Sequence, residues 1–169
     1  MKFRPLLLIM VALVALAGPM AGAVKRPNIV FVLFDDFGWG QPPSNRGDSP
    51  FKTPSFDGLA REGMRFTDAH SAAANCTPTR YGLLTGRYPS RIGQFGVLNT
   101  YSPPIIPRER LTVASFLKGQ GYHTACIGKW HLGLNWTGDK KSRPDPPPIG
   151  ARFEDGPNTL GFDYYYGFT

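Results

Sequence analysis

Asn28-Ile29-Val30-Phe31-Val32-Leu33-Phe34 is an unbroken apolar run of β-branched and aromatic residues that stops abruptly at Asp35-Asp36-Phe37-Gly38. Such a run predicts a strand covered on both faces, the pattern of a parallel sheet. Beyond it, Pro42 to Pro50 reads as a polar loop rich in turn formers. Thr53-Pro54 supplies an N-cap followed by proline at the first helical position, with Gly63 as terminator, so a helix lies between them and buries Phe56, Leu59 and Ala60. Arg65 to Ala69 is expected to be a second short strand. Thr77 to Leu84 is expected to be a helix ended by Gly86. A third helix runs from about Thr112 to Lys118, capped near Gly119 or Gly121, and Tyr122 to Ile127 returns as a strand. Strands alternating with helices in this way imply an α/β fold. Asp139 to Pro148 is a proline-rich excursion, and the aromatic tail from Gly161 to Thr169 shows no closing element. No internal repeat is present.

Upstream of the apolar run, Lys2 and Arg4 precede an apolar stretch from Leu6 to Ala17, followed by the small-residue site Ala21-Gly22-Ala23. This is the pattern of a secretory signal peptide over residues 1–23, with 24–169 as the exported part, and the apolar stretch is too short to span a bilayer comfortably. Removing Lys2 and Arg4 leaves +5 of the formal +7. A basic balance suits an anionic substrate or polymer. No Lys/Arg run tracks a phosphate backbone, so neither nucleic acid binding nor stable membrane insertion is expected. Two cysteines, Cys76 and Cys126, make no disulfide framework, and no C-x-x-C or closely paired histidines suggest zinc. Cys126 reads as a small buried hydrophobe, and Trp39 and Trp130 as packing residues.

Asp35 and Asp36 repel one another, and an apolar strand end would desolvate both. A hard cation such as Ca²⁺ or Mg²⁺ resolves that conflict, although Asp-Asp-x-Gly equally fits a solvated turn. Cys76-Thr77-Pro78-Thr79-Arg80 is more specific, a C-x-P-x-R motif continued by Leu83-Leu84-Thr85-Gly86-Arg87. Here the sequence resembles the sulfatases, with Asn75 departing from the small, aliphatic or hydroxyl residue usual before the cysteine. Gly121-Tyr122-His123-Thr124-Ala125-Cys126-Ile127-Gly128-Lys129-Trp130-His131 resembles the second signature of that family, at a typical distance from the first. The resemblance extends over Arg26 to Thr169.

The resemblance implies an alkaline-phosphatase-like mixed or parallel sheet flanked by helices, of which this sequence is the incomplete, amino-terminal part. It implies oxidation of Cys76 to formylglycine by a formylglycine-generating or anaerobic sulfatase-maturating enzyme. Its hydrate carries two hydroxyls: one attacks the sulfur of an aryl or carbohydrate sulfate and expels the alcohol, while loss of a proton from the other releases sulfate. By resemblance Cys76, Arg80 and His131 are catalytic, Lys129 binds substrate, and Asp35, Asp36 and modified Cys76 hold Ca²⁺ or Mg²⁺. All three clusters are expected at carboxyl ends of strands, where open α/β sheets place ligands. A formylglycine-dependent phosphodiester or phosphonate ester hydrolase and a non-catalytic exported anion-binding relative are the rival readings. The chain by itself is expected to be inactive and prone to aggregate, since three strands and three helices cover only part of a doubly buried sheet.

Overall fold

The computed structural model describes residues 26–99, 101–137 and 150–169. The expected signal peptide and the excursion from Asp139 to Pro148 lie outside these residues. The chain divides into two compact units, Met1–Asp36 and Phe37–Thr169.

In the first unit, residues 28–34 are not part of either sheet. Their apolar side chains stand open, with Val30 86% exposed. The expected strand is thus corrected, and so is that at Arg65 to Ala69, an exposed irregular stretch of the second unit. A strand exists through its ladder, and both sheets are built from later residues.

In the second unit, α1 (Pro54–Glu62) follows N-cap Thr53 with Pro54 at its start, as the punctuation requires. It buries no residue, however, and Leu59 is 70% exposed, against the expected apolar face. The helix α2 (Cys76–Thr85) ends at Gly86, whose φ of 65° is the left-handed cap that glycine adopts without a Cβ clash. A 3₁₀ turn follows at Pro89–Ile92. The helix α3 (Val113–Gly119) begins with a reciprocal capping box: Ser115 N–H donates to Thr112 Oγ1 at 3.1 Å and Thr112 N–H to Ser115 Oγ at 2.9 Å. Such caps contribute about 1 kcal/mol.

The strand β1 (Ala125–Lys129) pairs in parallel with β4 (Tyr164–Phe168), so the aromatic tail closes onto the strand preceding it. β2 (Asn135–Trp136) and β3 (Phe153–Asp155) form a separate antiparallel pair. The expected strand from Tyr122 begins three residues late because of a residue distant in sequence. Asp163 fills the ladder positions at Thr124, its own N–H donating to the Thr124 carbonyl at 2.8 Å and its carboxylate accepting from the Thr124 N–H at 2.9 Å.

Beneath these elements lies one apolar cluster. Tyr81 of α2 packs with Ile106, Trp130, Leu132, Leu134 and Leu160, and Cys126 and Tyr165 close it from the inner face of β1 and β4. Each fully buried large side chain contributes about 1.5–3 kcal/mol. Trp130 is a packing residue as expected, edge-on to Phe162 with its indole N–H donating to the Gly133 carbonyl at 2.9 Å. Trp39 instead is 65% exposed. The cluster holds α2, through Tyr81, against the residues leaving β1.

Asp163 also ties α3 to this sheet, with Lys118 Nζ 2.7 Å from its carboxylate. The Lys118 ammonium, followed by the Thr124 N–H, lowers Asp163 from its ordinary 3.8 to about 2. A carboxylate depressed in the folded state adds stability that is complete above its unfolded pKa and disappears as pH falls through the folded one. Urea midpoints of the protein are therefore expected to drop between about pH 4 and about pH 2. Asp163→Asn should lower the midpoint at neutral pH and flatten that acid limb. An unchanged acid limb in the variant would remove Asp163 from the account.

Candidate active site

Cys76 is the first residue of α2, after Asn75 in extended conformation. The stretch before it is strapped to the helix, since Thr79 Oγ1 donates to the Ala73 carbonyl at 2.7 Å. Gly82 allows this approach, because a Cβ there would lie 2.3 Å from that of Ala72. Lys129, at the carboxyl end of β1, reaches back so that its Nζ is 3.4 Å from Cys76 Sγ. Arg80, one turn along α2, donates from Nη1 to the Lys129 carbonyl at 2.6 Å. Two cationic side chains therefore meet at the helix start, one over the thiol and one holding the backbone of the other.

His131 adopts a left-handed backbone, φ 54°, unusual for a residue with a side chain. It turns the chain out of β1. Its Nε2 lies 2.8 Å from the Leu98 carbonyl. A carbonyl only accepts, so Nε2 carries a proton in this contact, and in the neutral form of the ring the lone pair falls on Nδ1. Nδ1 is buried and meets no hydrogen-bonding partner among the described residues.

Cys126 differs in kind from Cys76. Burial pushes its thiol above the ordinary value, with the charge of Arg80 opposing. Burial, and then the neighbouring Cys126, lifts Tyr165 to about 12. Both stay neutral, as befits core-facing groups. His70 and His123 are exposed, the former 2.7 Å from Asp68.

The second unit thus brings together Cys76, Arg80, Lys129 and the turn at His131. Asp35 and Asp36 belong to the first unit, where they are exposed and Asp36 has a φ of 53°. Of the three expected strand ends, only that at Lys129 belongs to a ladder. One residue escaped the reading of the sequence as more than a motif position: Thr77, wholly buried, joins the helix to both Leu98 and His131.

A helix-borne thiol lies beside an ammonium whose own backbone carbonyl is held by a guanidinium, at the end of a parallel strand of an α/β protein. Comparison with known proteins makes this specific. The sulfatase family model matches residues 27–169, and the chain belongs to the sulfatase family. It is 40% identical over 153 residues to human steryl-sulfatase, covering 87% of this chain and 24% of the relative. It is 38% identical over 142 residues to N-acetylgalactosamine-6-O-sulfatase of Bacteroides thetaiotaomicron, covering 84% of this chain and 26% of that protein. The crystal structure of Ps i-CgsB superposes with a TM-score of 0.60 at 35% identity, covering 79% of this chain and 26% of that one. The chain thus spans about a quarter of the length of the relatives it matches. Its fold is the expected α/β, alkaline-phosphatase-like one. No helix among the described residues is long and apolar enough to cross a membrane.

Proposed function

We propose that this sulfatase-family chain serves the hydrolysis of a sulfate ester to an alcohol and inorganic sulfate, with Cys76 oxidised to formylglycine by a maturation enzyme. The observation that carries this reading is the Lys129 ammonium 3.4 Å from Cys76 Sγ at the start of α2. That sulfur stands in for the oxygen the modified residue would bear. A hydrated aldehyde there supplies a nucleophilic hydroxyl and a second hydroxyl that releases the product.

The residues around it have separable tasks. Lys129 places a positive charge where a sulfate oxygen would lie, and a fixed charge at a partly buried site counts for more than in water. Arg80 holds the Lys129 carbonyl and so sets the direction from which the ammonium approaches, while its charge favours an anion at the helix start. His131, protonated at Nε2, keeps Nδ1 as the basic nitrogen that takes up a proton. Asp35 and Asp36, adjacent and exposed, are a hard oxygen donor pair suited to Ca²⁺ or Mg²⁺, and with the modified Cys76 they would hold the cation. Bound there, it would withdraw charge from sulfate oxygens as a Lewis acid. The substrate is an aryl or carbohydrate sulfate. Cleavage near Ala23 would export the protein.

The test is steady-state turnover of the full-length protein on nitrophenyl sulfate and nitrophenyl phosphate, with and without chelator. Sulfate turnover is expected to dominate, to fall on chelation and to return with Ca²⁺ or Mg²⁺. Asp35→Asn and Asp36→Asn should each lower it by about 10²-fold or more, the scale of a lost Lewis-acid contribution. Preference for phosphate would favour the phosphoester reading. Indifference to chelator and to both substitutions would reduce the two carboxylates to a turn.

A further inference from the structure

Thr77 is 0% exposed, and its hydroxyl makes hydrogen bonds that leave its own helix. Its partners are distant in sequence. Thr77 Oγ1 donates to the His131 carbonyl at 2.9 Å and accepts the Leu98 N–H at 3.2 Å. The third side of this triangle is the 2.8 Å contact between the His131 imidazole and the Leu98 carbonyl. One hydroxyl therefore has its donor and acceptor capacity engaged by the backbones of two loops, and those loops hold each other through the imidazole.

We infer that Thr77 is the positioning residue that fixes both the turn and the tautomer of His131. Leu98 presents its N–H to Thr77 and its carbonyl to His131 Nε2, so the peptide groups flanking Leu98 are locked only while the hydroxyl is present. Without it, the Leu98 segment loses its anchor and the carbonyl that keeps the proton on Nε2 is free to swing away. The left-handed φ of 54° at His131 carries an intrinsic cost, and the hydrogen bond to its carbonyl is one of the contacts that offset it. The imidazole would then exchange between tautomers, and Nδ1 would serve as the basic nitrogen only part of the time. The effect on turnover rests on the proposed sulfatase reading. The effect on the imidazole does not.

The experiment compares Thr77→Val and Thr77→Ser in the full-length protein, following turnover of nitrophenyl sulfate and the ring ¹⁵N shifts of His131. Valine keeps the shape and removes the hydroxyl, whereas serine keeps the hydroxyl and removes the methyl. Thr77→Val is expected to lower kcat by about 10- to 100-fold, the range for supports of a first-layer group, with KM little changed. Its Nδ1 and Nε2 shifts should move toward an averaged tautomer. Thr77→Ser should keep both the wild-type shifts and most of the turnover. Wild-type shifts in Thr77→Val would overturn the inference. So would a folded Thr77→Ser that loses the wild-type shifts and turnover, because packing would then be the role of Thr77; the serine variant compared with wild type decides the matter even if the valine variant does not fold. A wild-type protein with no sulfate turnover but a fixed Nε2–H tautomer that Thr77→Val disturbs would refute the proposed reaction and leave the positioning role standing.

Discussion

Cys76→Ala is expected to abolish sulfate ester turnover, by as much as about 10⁶-fold if it acts as a nucleophile whose removal leaves only binding, while the protein keeps its fold. The two halves of this expectation come from different features. Cys76 is half-buried at the first position of α2, where alanine is a good helix former, and the stretch behind it is held by the Thr79 hydroxyl and the close approach at Gly82. Its loss should therefore leave circular dichroism and the urea midpoint close to wild type. In the proposed reaction Lys129, Arg80 and His131 would supply charge and proton transfer, and none of the three would take the place of the nucleophile. The companion measurement is the mass of the peptide Phe66–Arg80 from the active protein. It should show –CH₂SH replaced by –CHO or its hydrate. Fully active protein whose peptide is entirely thiol would refute the formylglycine mechanism, and an unfolded Cys76→Ala variant would show that the sulfur also has a packing role.

Much of the site was legible because its residues lie in contiguous motifs. Cys76 and Arg80 are one helical turn apart, and Lys129 and His131 flank the exit from a strand, so short patterns carry them. The helices were legible for a similar reason: Pro54, Gly63 and Gly86 are local punctuation. Strands fared differently because a ladder depends on a partner that may be remote in sequence. Residues 28–34 have strand composition but no place in either sheet, whereas Tyr164–Phe168, read only as an aromatic tail, is the strand that pairs with β1. The start of β1 was misplaced because a side chain 39 residues away, Asp163, takes the bonds of Thr124. Thr77 is the same lesson at the site, since its partner carbonyl at His131 is 54 positions off and no spacing rule reaches that far. In each case the missing information was the identity of a distant hydrogen-bond partner.

Gly167→Ala is expected to be the most destabilising single-methyl change in the sheet, costing about 3 kcal/mol or more. Gly167 faces Gly128 in the parallel β1–β4 register. A Cβ on Gly167 would lie 1.8 Å from the Gly128 carbonyl oxygen and 2.8 Å from its carbon. Both are backbone atoms, so no rotamer change relieves the overlap, and β4 must move away from β1. Gly128 is itself a position for glycine, because its φ of 104° is a conformation that side chains rarely adopt. The pairing continues past the strands, with the Trp130 N–H donating to the Phe168 carbonyl at 2.8 Å. Separation at Gly167 would therefore pull on both neighbours of Lys129, and activity should fall along with stability. Gly119→Ala is the matched control: it ends α3, a Cβ there meets nothing within 4 Å, and it should be neutral or stabilising by up to about 1 kcal/mol. Urea denaturation of the two variants and wild type separates the cases. A Gly167→Ala midpoint as high as that of Gly119→Ala would mean that β1 and β4 do not approach through this glycine pair, and the path from the sheet to Lys129 would have to be redrawn.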